Sequence, residues 1–422
     1  MATIARSLAS SVTWIRDKSL PSSNIPLVVS LTKMTLIVDQ FPVTIHKGTF
    51  VLTGANKCQR ILATSVICHL LVVLKWVLDP WFSRVNRSSP VWKLVFMYYF
   101  ATLFGAIVIF IAHITLLKEE TVYLLNSAMQ VERASQAKGT NIVHRFYFVF
   151  IVLSKMAVIF MPMTCFTFGL LRPCMPPTWT SVIYLTCESW DDHGNTGFMF
   201  RIWGAILLYY LSLSVVATGV FAITIVLIYP NEVKLILLEA MLRDLSIEGR
   251  HVAPRLYTYR TLQMLTDMHN TVFGYLIMSI LIGAITVCES FALYTIITST
   301  SEVPIPVIIL FSTVAVDLLI VIVGPFKMMA NPLVKSIELL EALQWMNGSG
   351  WIRRFVRSCP PSKMTLAQKS RLQSSAESSR FLDKVFHSVV KIFFQASALL
   401  RGLEHTFAPN FDHFSVIQIQ QG

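Results

Sequence analysis

Long apolar runs alternate with shorter polar stretches along most of this chain. Six runs are apolar nearly all round, at roughly 61–78, 91–117, 146–170, 202–229, 272–298 and 303–326. A surface helix confines its apolar residues to one stripe, so runs this long and uniform predict helices that cross a bilayer. A seventh run, 381–403, has the length but carries Lys384, Lys391 and Arg401. The expected fold is an all-α, polytopic membrane helix bundle of six clear spans and one weaker one. Residues 1–59 form an amino-terminal segment, 60–403 the bundle and 404–422 a tail.

Two further stretches read as amphipathic helices outside the lipid. They are "VKLILLEAMLRDL" after the fourth run and "YRTLQMLTDMHN" before the fifth. Apolar periodicity resumes through Ile337, Leu340 and Leu343 beyond the sixth run, after "GPFKMMANP", where Pro325 and Pro332 are expected to break the helix. Apolar stripes in such extensions need a partner, and a neighbouring subunit is the expected one. Pro304 and Pro306 close a very short turn between the fifth and sixth runs, making those helices a tight antiparallel hairpin.

Composition supports the membrane reading. Of 422 residues, 54% are hydrophobic and only 14% charged, and the mean hydropathy is +0.61. That is too little charge to cover a soluble protein of this length. The net charge of +12 would suggest nucleic acid if it were clustered on one folded face. Instead the cations gather before the first run, between the second and third, between the fourth and fifth, and after the sixth. The loop between the third and fourth is acidic, with Glu188, Asp191 and Asp192. The positive-inside rule then places the amino terminus in the cytoplasm. No secretory signal is expected at the start, because the first residues are basic and lack an uninterrupted apolar core.

In this orientation Cys174 and Cys187 share an outer loop, as a disulfide worth about 3 kcal/mol or as two free thiols. Asn86, in "NRS", lies outside and is expected to carry sugar, whereas Asn347, in "NGS", lies inside and stays bare.

No catalytic constellation is present: there is no phosphate loop, HExxH, GxSxG or CxxC, and no cofactor is implied. The chemistry lies in ionisable groups within the spans. Lys155 in the third and Asp317 in the sixth lie at similar depth from the inner side, which predicts an intramembrane pair; Glu289, in "ITVCESFALY", lies nearer the outer side and is expected to line a vestibule or stay protonated. Aromatics crowd the outer halves. Trp92, Phe96 and Tyr99 share one face of the second span. Tyr99, Tyr210, Phe291 and Tyr294, with Glu289, are the candidate walls of a small-molecule site, and Trp92 and Trp203 fit an interfacial belt.

The ordering of these features resembles the insect-type seven-transmembrane chemoreceptors, the odorant and gustatory receptor superfamily of arthropods. The likeness rests on the inward amino terminus, the long helical stretch between spans four and five, "YRTLQMLTDMHNTVFGYL" entering span five, the short turn after it, and "RRFVRSCPPSKMTLA" leading into the last run. The family's signature in its last helix is Thr-Tyr, five hydrophobic residues, then Gln-Phe. Here "SVVKIFFQA" keeps Gln395, while Ser388, Val389 and Ala396 replace the other three and Lys391 interrupts the five. The resemblance implies a homo- or hetero-tetrameric, ligand-gated cation channel in the plasma membrane of sensory neurons. Its last helix, with Ser388 and Gln395, would line the pore, and lipid and a small, mostly apolar odorant or tastant would be its partners.

Two other readings use the same residues. In a secondary transporter, Lys155, Glu289 and Asp317 would relay a substrate or proton, although no internal repeat supports it. A G-protein-coupled receptor would place its amino terminus outside, against the charge bias, and "NPLVK" lacks the tyrosine of an NPxxY.

Overall fold

A computed structural model describes residues 23–38, 40–54, 57–82, 91–137, 144–175, 197–247, 253–273, 275–298, 303–345 and 350–362. Asn86, Cys187, Asn347, Ser388, Gln395 and the last apolar run lie outside the described residues.

The first six predicted spans appear as helices that begin close to their expected starts, the sixth running well past its expected end. In chain order they are α2 (Lys57–Phe82), α3 (Val91–Leu116), α5 (Arg145–Leu171), α6 (Phe198–Val220), α9 (Tyr275–Thr298) and α10 (Ile305–Trp345). Five are long and apolar enough to cross a membrane; α2 holds only a shorter apolar stretch, Ala63–Lys75. Large apolar side chains are exposed along whole faces, among them Val152, Met156, Ile159 and Met163 on α5 and Ile309, Val316, Leu319 and Val323 on α10. Contiguous apolar surface of this extent is costly in water and natural against lipid.

The amino-terminal segment is more than a leader to the bundle. Residues 25–35 form a helix, α1 (Ile25–Thr35), and Val43–His46 (β1) pairs antiparallel with Thr49–Leu52 (β2), His46 opposite Thr49. The two-residue turn needs positive φ at both positions, which Lys47 (49°) and Gly48 (74°) supply. α1 buries Val28, Leu31, Thr32 and Thr35 against α5 and α6.

A helix from Lys118–Ala137, α4, holds both pieces in place. Asn126 exchanges two hydrogen bonds with the Phe50 backbone, accepting from its N–H at 2.9 Å and donating to its carbonyl at 2.8 Å. Its side-chain amide thus acts as one more residue of strand. Arg133 donates to the Gly48 carbonyl at 2.9 Å.

Two features depart from the sequence reading. Pro325 and Pro332 do not break α10, which runs 41 residues as one helix, roughly 60 Å. Each proline forfeits one backbone hydrogen bond, but both are buried, and the packing around them outweighs that loss. The fourth span also changes its winding: α6 passes into a π-helical segment, Phe221–Ile228, before continuing as α7 (Tyr229–Ile247). Seven of its eight residues are buried, and insertions of this kind often mark functional positions.

The amphipathic extensions pack on one another within this chain, so part of each apolar stripe is covered by the chain itself. α7, α8 (Ala253–Val272), the far end of α10 and α11 (Gly350–Ser358) join Leu237, Leu238, Met241, Tyr259, Leu262, Leu340, Leu343 and Val356 in a second core. Tyr259 donates to the Pro360 carbonyl at 2.8 Å, and Ser362 N–H donates to Ser336 Oγ at 3.0 Å, so the segment after α11 returns to both α8 and α10. The end of the bundle holding α4, α7 and α8 forms its base.

Candidate functional site

α3 is the central aromatic helix. Phe96, Tyr99, Phe100 and Phe104 recur at helical spacing and are all buried. Phe96 meets Phe100 edge-on at 4.8 Å and Phe311 of α10 at 5.7 Å, and lies 6.2 Å from Phe168 of α5; Tyr99 meets Phe311 edge-on at 5.2 Å. Tyr98 stacks on Phe291 of α9 at 6.4 Å. Four helices therefore converge on one aromatic cluster. Edge-to-face and offset pairs of this sort hold rings in defined orientations.

Of the sequence-predicted wall residues, Tyr99, Glu289 and Tyr294 are buried and Phe291 is partly buried, stacked on Tyr98. Tyr210 is a correction. It is 39% exposed and continues the outward stripe of Met199, Trp203 and Ile206 on α6, a pattern that faces lipid. Trp92 also departs from expectation, being buried rather than part of an interfacial belt, whereas Trp203 is exposed as a belt residue would be.

The Lys155–Asp317 pair is not formed. Lys155 Nζ donates instead to Ser30 Oγ at 3.0 Å. The reason is α1, which packs on α5 and offers a hydroxyl where the sequence reading placed no helix. Asp317 lies on the Tyr99 side of α10, and both Asp317 and Glu289 come within electrostatic range of the Tyr99 phenol. Cys174 is disulfide-bonded, while Cys68, Cys165, Cys288 and Cys359 are free.

The base holds a polar network that sequence reasoning missed. Glu132 of α4 is 3% exposed and accepts three hydrogen bonds. Asn24 N–H and Ser23 Oγ donate to one oxygen at 2.7 and 2.9 Å, and Tyr229 donates to the other at 2.9 Å. A carboxylate at the start of α1 satisfies an orphan N–H and complements the helix dipole. Its Tyr229 bond ties that cap to the residue that ends the π segment. Glu132 looks like an ordinary surface acid in "QVERAS"; only its apolar neighbours at helical spacing hint at burial.

Next to this cap, His144 bridges two acids of α7. Its Nδ1 lies 2.5 Å from Glu232 Oε1 and its Nε2 3.2 Å from Glu239 Oε2, so both ring nitrogens donate when the ring is charged. Burial opposes the charge, but the two carboxylates outweigh it and raise the His144 pKa to about 9. Across α7, Lys234 Nζ donates to His269 Nδ1 at 3.0 Å, and burial together with that cation holds His269 well below the usual histidine range.

A raised histidine pKa stabilises the folded state fully below its unfolded value near 6.5 and loses that contribution as pH climbs through about 9. Thermal stability in detergent should therefore fall from pH 6.5 to 9.5, and His144→Gln should flatten that slope. An unchanged slope in the variant would remove His144 from the account.

The fold and these two sites define a polytopic membrane helix bundle with an aromatic, acid-bearing centre at one level and a polar lock at its base. Its fold is that of the insect olfactory receptors. The solved structure of the insect olfactory receptor OR5 from Machilis hrabei matches with a TM-score of 0.54 and 11% identity, covering 87% of this chain and 96% of that one. The same receptor in complex with eugenol gives 0.53 and 12%, over 86% and 97%. No protein-family model and no curated protein matches the sequence.

Proposed function

We propose that this chain is a chemosensory receptor of the odorant or gustatory type, acting as a subunit of a ligand-gated cation channel that detects small, mostly apolar molecules. The observation that carries the reading is the buried aromatic cluster where α3, α5, α9 and α10 converge, in a fold shared with a receptor solved in complex with eugenol. Tyr99, Phe291, Tyr294 and Glu289 are the ligand-facing residues in this reading. A ligand acts by binding one arrangement of these helices better than another, and it shifts the equilibrium only by that difference in affinity. The continuous helices α6–α7 and α10 give a mechanical route from the aromatic level to the base.

In the same reading the amino terminus is cytoplasmic, and Cys174 pairs with Cys187 on the outer side. Asn86 is glycosylated there. Four like or related subunits meet on the last helix, with Ser388 and Gln395 facing the pore, in the plasma membrane of sensory neurons.

Cells expressing the chain should give an agonist-evoked cation current that Gln395→Lys silences at equal surface expression. Substrate-coupled flux without single-channel openings would replace this reading with a transporter.

A further inference from the structure

Glu289 is the most unusual residue in the aromatic half. It is 8% exposed, and its Oε2 has no hydrogen-bond partner. The hydroxyls nearest to it on α9 are already committed to their own helix: Thr286 donates to the Ile282 carbonyl at 2.8 Å, Ser290 to Thr286 at 2.8 Å, and Thr295 to Phe291 at 3.0 Å. The same holds on the facing helices, where Thr102 donates to the Tyr98 carbonyl and Thr313 to Ile309. Lys155, the cation expected to pair with Asp317, is bonded to Ser30.

Glu289 and the half-buried Asp317 thus bring two carboxyl groups to the neighbourhood of Tyr99, with no described cation bonded to either. A buried carboxylate without a donor is strongly unfavourable. A purely apolar guest would leave that oxygen unsatisfied and remove water from it as well. A guest with an apolar body and one ammonium group would supply the missing donor and charge, and aromatic faces add attraction for a cation.

Building on the receptor reading, we propose that this site selects small amines, with Glu289 accepting the ammonium, Asp317 adding negative potential, and the rings of Tyr99, Phe100 and Phe311 holding the apolar body. Glu289 is then the residue that determines specificity.

The test compares two probes of the same shape, phenethylamine and phenethyl alcohol, by calorimetric titration of the full chain in lipid nanodiscs at neutral pH, with current recorded in parallel. The amine should bind at least tenfold more tightly than the alcohol. Glu289→Gln, which keeps the size of the side chain, should weaken amine binding about ten- to a hundredfold, the range expected for a hydrogen bond to a charged group, and alcohol binding by less, removing the preference for the amine. Asp317→Asn should weaken the amine by less.

Equal affinity for the two probes overturns the proposal, as does failure of the amine to bind, or a preference for it that survives Glu289→Gln. Should Glu289→Gln fail to fold, the probe comparison on the unaltered chain and Asp317→Asn still decide. Amine binding without current would sustain the proposal and remove the channel reading. Current evoked by the alcohol with no amine binding would do the reverse.

Discussion

Glu132→Ala is expected to be the most damaging single truncation outside the apolar cores, lowering stability by about 3–5 kcal/mol. Three donors lose their acceptor at once: Asn24 N–H, Ser23 Oγ and Tyr229 Oη. A buried donor left without a partner costs about 1–3 kcal/mol, and because the three share one carboxylate the losses do not simply add. The damage spreads because the groups belong to different parts of the chain. Asn24 and Ser23 begin α1, which packs on α5 and α6, and Tyr229 stands where the π segment gives way to α7.

Glu132→Gln keeps an acceptor for the α1 cap and should recover most of the loss. Tyr229→Phe removes one bond and should cost about 1 kcal/mol. Melting of purified protein, followed by size-exclusion fluorescence, gives the ranking directly. If Glu132→Ala melts with the parent, the cap does not hold α1 to the bundle.

Gly169→Leu is expected to be nearly as severe, at about 3 kcal/mol, by forcing α5 away from α6. A Cβ at Gly169 would already stand 3.1 Å from the Ala205 Cα and 3.2 Å from Leu208 Cδ2. The Ala205 contact is backbone, which cannot rotate out of the way. Small residues at helix crossings let backbones approach in membranes, and overfilling such a contact costs roughly 1–3 kcal/mol, more for a long side chain. Gly169→Ala should therefore cost about 1 kcal/mol. At Gly105, where nothing lies within 4 Å of the added atom, Gly105→Ala should stabilise by about 0.5–1 kcal/mol. Opposite signs at these two positions in the same melting assay would establish that close approach, rather than glycine content, decides. Equal effects would refute it.

How much of this was readable in advance depends on where the information resides. The helices α3, α5, α6, α9 and α10 were legible because twenty apolar residues in a row permit little else, and lipid demands that every backbone group be satisfied within the helix. The amphipathic α7 and α8 were legible by their period. Their partner was not, because an apolar stripe states that something covers it and never what. Likewise Tyr99 and Tyr210 have equal standing in sequence, both mid-span and aromatic. Only the rotation of α6 turns Tyr210 outward while α3 keeps Tyr99 in.

The errors share one origin. Lys155 and Asp317 were matched by depth, a quantity that a sequence gives, but bonding also requires facing, which it does not. α1 falls within what the sequence marks only as an amino-terminal segment, because its eleven residues are too short for a span, yet it takes the Lys155 amine and receives the Glu132 cap. Pro325 and Pro332 read as breaks because local rules count only the helix's own hydrogen bonds, and packing from other helices outweighed them.

By itself, then, the sequence determined that this is a multi-pass membrane protein and roughly where its five long apolar helices begin, since those follow from local hydropathy and helix length. Tertiary structure alone decided which faces meet, why Glu289 Oε2 is left without a donor, and how Glu132, His144 and Lys234 each found a partner. Such facts depend on helix rotation and on contacts between residues a hundred positions apart, which no local pattern encodes.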